Sequence, residues 1–266
     1  MVKGVSVKFQ SYEETIPKFM DFIKFEQQLI GKKTIILHPS IGNSESHNTS
    51  TPFVEEIIRY CLSNMDDDAK IIIAAGADGE DTFDVFEEIG YTRLAEHHPV
   101  SLVDLNTSDV DEIENPNFIE FESIFYPKIL REGYIISLPR LNSDEETEMQ
   151  GSVSSLLGTY PASHYKGFFS KSKSKIRKWP IKYSIHDIAN CRLPDAVIMD
   201  ASDYGHVLAG RHALDVDKQA AKLLGREWKS IQHLRLVDES FEKLRQDEEY
   251  REKQRQAKEA SITITE

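Results

Sequence analysis

The sequence predicts an α/β fold: Rossmann-like, a mostly parallel sheet with helices on both faces, plus a charged C-terminal helix. Three observations carry this expectation. Four short β-branched or apolar runs, at 34–37, 70–75, 134–138 and 196–199, read as buried strands. Segments of helical spacing separate the early ones. Polar residues, proline or glycine stand at the ends of these runs, where a chain turns. A β-α-β-α-β order joins parallel strands through crossover helices, which are almost always right-handed.

Each element has a local reason. Residues 5–9 alternate apolar and polar, as a half-buried strand does. Residues 12–30 place Ile16, Phe19, Phe22, Ile23 and Leu29 on a helical stripe that Gly31 ends. The strand 34–37 runs into His38-Pro39-Ser40, where Pro39 cannot donate to a ladder. Thr51-Pro52 opens a helix through Cys61, with Pro52 in the first turn and Thr51 as cap. The strand 70–75 is followed by a turn, Gly76 to Asp81, and by a short amphipathic helix, 82–89, closed by Gly90. Residues 100–103 read as a further strand. The second half is less regular: a strand at 118–121, a helical turn at 126–131, the strand 134–138 stopped by Pro139, and a brief helix 153–157 ending at Gly158. Ser184 caps a helix through Ala189, the strand 196–199 ends at Asp200, and helices cover 216–224 and 228–234. The expected organisation is one α/β domain over 1–238, or two lobes divided near residue 110, followed by a charged helix and tail over 239–266 with a thin stripe of Phe241, Leu244 and Tyr250.

Composition narrows the function classes. The 266 residues carry a net charge of −13. No run approaches the eighteen or so apolar residues that span a bilayer, and the start lacks a secretory pattern, so a cytoplasmic protein with no membrane partner is expected. Two cysteines, Cys61 and Cys191, are too few for a disulfide framework or a four-thiolate metal site. The charge is unevenly spread: residues 1–103 carry −8 and 104–150 carry −9, whereas 151–183 contain no acid and seven bases. A basic island in an acidic chain attracts a compact anion more than a polyanion, so a small anionic molecule is expected as partner and nucleic acid is not. A solvated loop accounts for the same run. The aromatics within it could stack on bases, but no nucleic-acid-binding motif accompanies them.

Open parallel sheets bind ligands beyond the carboxyl ends of their strands. Four expected strand ends deliver polar side chains there: His38, Ser40 and Asn43; Asp78 and Asp81; Arg140 and Asn142; Asp200 and Asp203. Such residues also make ordinary turns, and the coincidence of four ends is what singles them out. The loop at Gly76–Gly79 is neither a dinucleotide fingerprint nor a P-loop, and two carboxylates, Asp78 and Asp81, are too few to define a metal site.

The stretches Lys33 to Ser40, Ile71 to Ala75 with Asp78, Val103-Asp104-Leu105-Asn106, Ile135 to Pro139, and Pro194 to Asp200 followed by Leu208-Ala209-Gly210, Val216-Asp217 and Leu223-Leu224-Gly225 resemble the domain-of-unknown-function 362 family. The resemblance covers about residues 33–236 and implies a layout distantly similar to that of the nickel-pincer lactate racemase family. Several signature positions differ. His38 and Ser40 replace a Lys and an Asn, Arg140-Leu141-Asn142 replaces Lys-x-His, and Ser154-Ser155 replaces a Lys-Asn pair before Gly158. Family members often carry ferredoxin-like cysteine clusters; this chain has none, so no iron–sulfur cluster is expected, and the cofactor is unknown.

The resulting expectation is a binding protein that holds a small anionic metabolite at the sheet edge. Ser40, Asn43, Arg140, Asn142, Ser154, Ser155, His164 and Lys166 form the candidate ligand-binding set. The alternative is an isomerase or other proton-transfer enzyme, with His38 as acid/base, Arg140 as anion clamp and Asp78 or Asp200 orienting the histidine or a metal. A protein–protein adaptor working through the C-terminal helix is the third reading.

Overall fold

The computed structural model describes residues 4–42 and 45–263, without the side chains of 45, 248 and 250–263. Along the chain come β1 (Val5–Lys8), α1 (Tyr12–Phe22), α2 (Glu26–Leu29), β2 (Thr34–Pro39), α3 (Thr51–Asn64), β3 (Lys70–Ala75), α4 (Thr82–Ile89), α5 (Tyr91–His97) and β4 (Val100–Asp104). Then follow β5 (Val110–Glu114), β6 (Ser123–Pro127), α6 (Lys128–Glu132), β7 (Tyr134–Leu138), α7 (Ser152–Ser155), α8 (Ala162–Tyr165), α9 (Ile181–Ala189), β8 (Ala196–Ala201), β9 (His206–Gly210), α10 (Ala213–Leu223) and α11 (Gln232–Thr263).

Seven strands form one sheet in the order β1-β9-β8-β7-β2-β3-β4. The block from β8 to β4 is parallel throughout. β9 runs antiparallel to β8, and β1 antiparallel to β9. β5 and β6 pair separately as an antiparallel hairpin. From β2 the chain winds outward to β3 and β4, then returns to the other side of β2 to lay down β7 and β8. The winding therefore reverses between β2 and β7, which opens a crevice at their carboxyl ends.

Strand alternation feeds two cores. Ile35 and Leu37 of β2, Ile71 and Ile73 of β3 and Ile136 of β7 face α1, α3 and α5, where they meet Phe19, Ile57 and Tyr91. Ile36, Ile72 and Ile135 face the other way, against Val153, Ile185, Val216 and Leu234 of α7, α9, α10 and α11. Burying a side chain of this kind contributes about 1.5–3 kcal/mol. Helices thus cover both faces, and strands buried on both sides explain why their sequences are continuous apolar runs.

Local departures from the sequence reading have identifiable causes. The helix expected over 12–30 breaks after Phe22, where Lys24 adopts a left-handed φ of 55°. The cap of α3 is Ser50, because the Thr51 hydroxyl donates to the carbonyl of Ile89 instead. Ser184 sits inside α9 and donates to the Ile176 carbonyl. Residues 118–121 are not a strand. The backbone N–H groups of Ile119, Glu120 and Phe121 all donate to buried Asp187. The charged tail is continuous with the preceding residues as α11, so the boundary expected at 238 lies within a helix. No helix among the described residues is long and apolar enough to cross a membrane.

Candidate functional site

The crevice between β2 and β7 is a cleft of about 300 Å³. Parity on β2 directs His38 to the α7 side of the sheet, and Ser40 joins it in the cleft wall. The loop after β3 supplies Gly76 and Asp78, and the segment after β7 supplies Gln150, Ser154, Ser155 and Gly158. The basic segment contributes Lys173, Ile176 and Arg177 as the opposite wall.

His38 is 2% exposed. Its Nδ1 lies 2.8 Å from the Ala74 carbonyl oxygen, and its Nε2 lies 3.3 Å from that of Ser155. Burial pushes its pKa below the ordinary histidine value, against the two carbonyl contacts, and nearby Lys173 lowers it further. A neutral imidazole carries one proton, and the shorter contact assigns it to Nδ1. Nε2 is then an acceptor set against another acceptor, a position that an O–H or N–H from a ligand would relieve.

Lys173 is 1% exposed. Its Nζ donates to the carbonyls of Gly76 (2.9 Å) and Gly158 (3.1 Å). Burial is the dominant influence and pushes its pKa down to about 7, opposed by the charges of Asp78 and Asp104. Gly76 permits this packing. A Cβ there would stand 2.8 Å from the Gly158 oxygen and 3.2 Å from Nζ. Asp78 binds the same segment twice, through the Lys173 backbone N–H (2.6 Å) and Arg177 Nη1 (2.6 Å). Arg177 also makes a bidentate contact with Glu146 at 2.7 and 3.1 Å. Much of the island's charge on this wall is therefore balanced inside the protein.

Two polar atoms of the cleft have no hydrogen-bond partner although they are buried: Ser40 Oγ and Gln150 Oε1. Such atoms cost free energy unless something fills the space beside them. The N-terminus of α7 is not available for this purpose. Asp217, fully buried on α10, accepts the N–H groups of Ser152 and Val153, each at 2.8 Å. Burial raises its pKa to about 7 against those two bonds.

The candidate residues divide into groups. His38, Ser40, Asp78, Ser154 and Ser155 line the cleft. Ser154 Oγ is occupied by Gly151 N–H and the Met149 carbonyl, and Ser155 Oγ donates to the Ser152 carbonyl. Asn43 lies outside the described residues. Arg140 lines a neighbouring cleft with Ser50 and Thr51 and pairs with Asp203 at 2.8 Å, so the structure does not bring it to His38. Asp200 shares the strand parity of Ile198, whose side chain faces α1 and α3. It is fully buried there, bonded to the Tyr12 hydroxyl at 2.9 Å and the Ser202 N–H at 3.0 Å. Four strands do share one sheet, but side-chain parity divides their polar ends between its two faces. Asp81 caps α4. Asn142 donates to the Ser46 carbonyl, His164 stacks on Phe125 at 4.1 Å, and Lys166 is exposed; none of the three lines the cleft.

Sequence reasoning does not single out Lys173, Gln150 or Asp217 as site residues. Asp217 has a signal: it interrupts an apolar helical face formed by Leu214, Val216, Ala220 and Ala221. Lys173, within Ser-Lys-Ser-Lys-Ser, has none.

The profile described as a domain of unknown function (DUF362) matches residues 35–220. No curated protein matches the chain. Among solved structures, the lactate racemase apoprotein from Thermoanaerobacterium thermosaccharolyticum superposes with a TM-score of 0.57 at 13% identity, over 85% of this chain and 58% of that one. A protein from Thermotoga maritima gives a TM-score of 0.41 at 9% identity, over 73% of this chain and 51% of that one. The chain thus spans little more than half the length of either. The first likeness is one of α/β fold.

Proposed function

Because the chain belongs to the domain of unknown function (DUF362) family, through a match that includes both strands and the basic segment around the cleft, we propose that it binds a small anionic metabolite at the carboxyl edge of its sheet. Lys173 supplies the countercharge, and Ser40 and Gln150 receive the ligand's polar groups. The observation that carries this reading is the pair of buried, unpartnered atoms, Ser40 Oγ and Gln150 Oε1, in the same cleft as a buried amine. Arg140 is replaced by Lys173 in the role of anion anchor, since Arg140 lines the adjacent cleft.

A thermal-shift panel of small carboxylates and phosphorylated metabolites at pH 6 and 8.5 tests it. A ligand at 100 times its dissociation constant adds about 2.7 kcal/mol. For a chain of this size that is a rise of about 5 °C in Tm. The shift is expected to be larger at pH 6, where an amine with a pKa of about 7 is protonated, and smaller in Ser40→Ala and Lys173→Gln. Absence of stabilisation by every anion at both pH values refutes the reading.

A second reading rests on His38. With its proton on Nδ1, its Nε2 is a base presented at a cleft, as proton transfer requires. Turnover of the best ligand by wild type and His38→Ala separates the two. Equal rates remove the catalytic role and leave the binding role standing.

A further inference from the structure

The segment that closes the cleft has an outer side of different chemistry. Phe168 is 94% exposed and Phe169 is 96% exposed, and their rings meet edge to face with centroids 4.8 Å apart. Lys166, Lys171, Lys175 and Lys178 are exposed in the same segment, and Trp179 is 56% exposed. No acid occurs between residues 151 and 183. The base of this tip is closed. A Cβ on Gly167 would lie 2.5 Å from Ser174 Oγ, the Ser170 and Ser172 hydroxyls bond at 2.8 Å, and Lys175 Nζ donates to the His164 carbonyl at 2.7 Å. The two phenylalanines therefore project from an anchored loop rather than trailing from a loose one. Two adjacent large apolar side chains left in water forgo their burial, which marks a surface that something covers.

We propose that this tip docks on an anionic bilayer surface. Phe168 and Phe169 enter the interfacial region, while Lys166, Lys171 and Lys178 meet the lipid phosphates and carboxylates. Charge complementarity is local. A plane touches only what protrudes, and the acidic remainder of the chain acts weakly beyond a Debye length of about 8 Å. The two rings pack edge to face on each other, which does not leave parallel faces for successive bases. The absence of a spanning helix among the described residues makes this peripheral attachment, distinct from insertion across the bilayer.

Co-sedimentation of the full chain with phosphatidylserine-containing vesicles, and with pure phosphatidylcholine vesicles, tests the proposal. Binding to the anionic vesicles that weakens with salt is expected, with a blue shift of Trp179 emission. Phe168→Ser/Phe169→Ser is expected to lower the partition coefficient at least tenfold with an unchanged Tm, since both side chains are exposed. Lys171→Gln and Lys178→Gln are each expected to lower it about fivefold, which is ~1 kcal/mol per lysine. No binding to anionic vesicles at low salt overturns the proposal. So does binding that the double phenylalanine variant leaves intact, or displacement from vesicles by a single-stranded oligonucleotide.

Discussion

Replacing Lys173 by methionine should flatten the dependence of stability on pH above neutrality. The amine is buried and its pKa is pushed down to about 7, from an ordinary value of 10.5. Below pH 7 the lysine is protonated in both folded and unfolded chains, and the cost of burying the charge is fully present. That cost is at most about 5 kcal/mol, since each tenfold loss of proton affinity corresponds to about 1.36 kcal/mol. Between pH 7 and 10.5 the unfolded chain holds more protons than the folded one, so stability rises with pH. From pH 7 to pH 9 the gain is about 2 kcal/mol, because near pH 7 the folded amine is only half deprotonated. Methionine keeps the apolar volume and lacks the proton. It also strips Gly76 and Gly158 of their donor, but that loss does not vary with pH. Urea denaturation of both proteins at pH 7 and pH 9 reads the difference: the wild-type midpoint should move upward by on the order of 1 M relative to the variant. Parallel pH dependences would refute the burial of a titrating amine, and with it the assignment of Lys173 as the pH-sensitive anchor of the cleft.

Three further outcomes follow from contacts already described. Gly151→Ala places a Cβ 2.9 Å from the Asp217 carboxylate and is expected to destabilise by roughly 1–3 kcal/mol in thermal or chemical denaturation. Asp200→Asn turns one of two buried acceptor oxygens, which take the Tyr12 hydroxyl and the Ser202 N–H, into a donor and should cost about 1–3 kcal/mol of stability, yet leave binding of the proposed cleft ligand unchanged, because Asp200 lies across the sheet from His38. Arg177→Gln removes one of the two contacts of Asp78 and the bidentate contact of Glu146; since the guanidinium is partly exposed the stability loss should stay below about 1 kcal/mol, while proteolysis between residues 166 and 178 accelerates.

The parallel core is legible in the sequence because its signal is chemical and local. Runs such as Lys70 to Ala75 and Tyr134 to Leu138 are buried on both faces and stop at turn residues. The hairpin of β5 and β6 is not legible, because the two apolar residues of Val110-Asp-Glu-Ile-Glu are three apart and show no period of two on this partly solvated surface. β9 is hidden because its apolar run is only Val207, Leu208 and Ala209, bracketed by His206 and Gly210. At the candidate site, the strand ends are visible in the sequence but their sidedness is not. Whether His38 and Asp200 meet depends on register and parity across three strands, which no window of sequence contains. Lys173 shows the same limit from another side, since nothing in a Ser-Lys repeat says which lysine is folded inward and which remain in water.

Residues 166–178 contain no regular element beyond one short turn, yet they hold an amine inside the protein and two phenyl rings outside it. Lys173 follows Phe169 with only Ser170, Lys171 and Ser172 between them. With so little chain to spare, the inner and outer contacts share one set of backbone conformations. If the proposed tip contact and the proposed cleft ligand each favour one conformation of this segment, linkage makes the effect of each on the other equal. One short anchored stretch of chain thus carries both the inward amine and the outward rings.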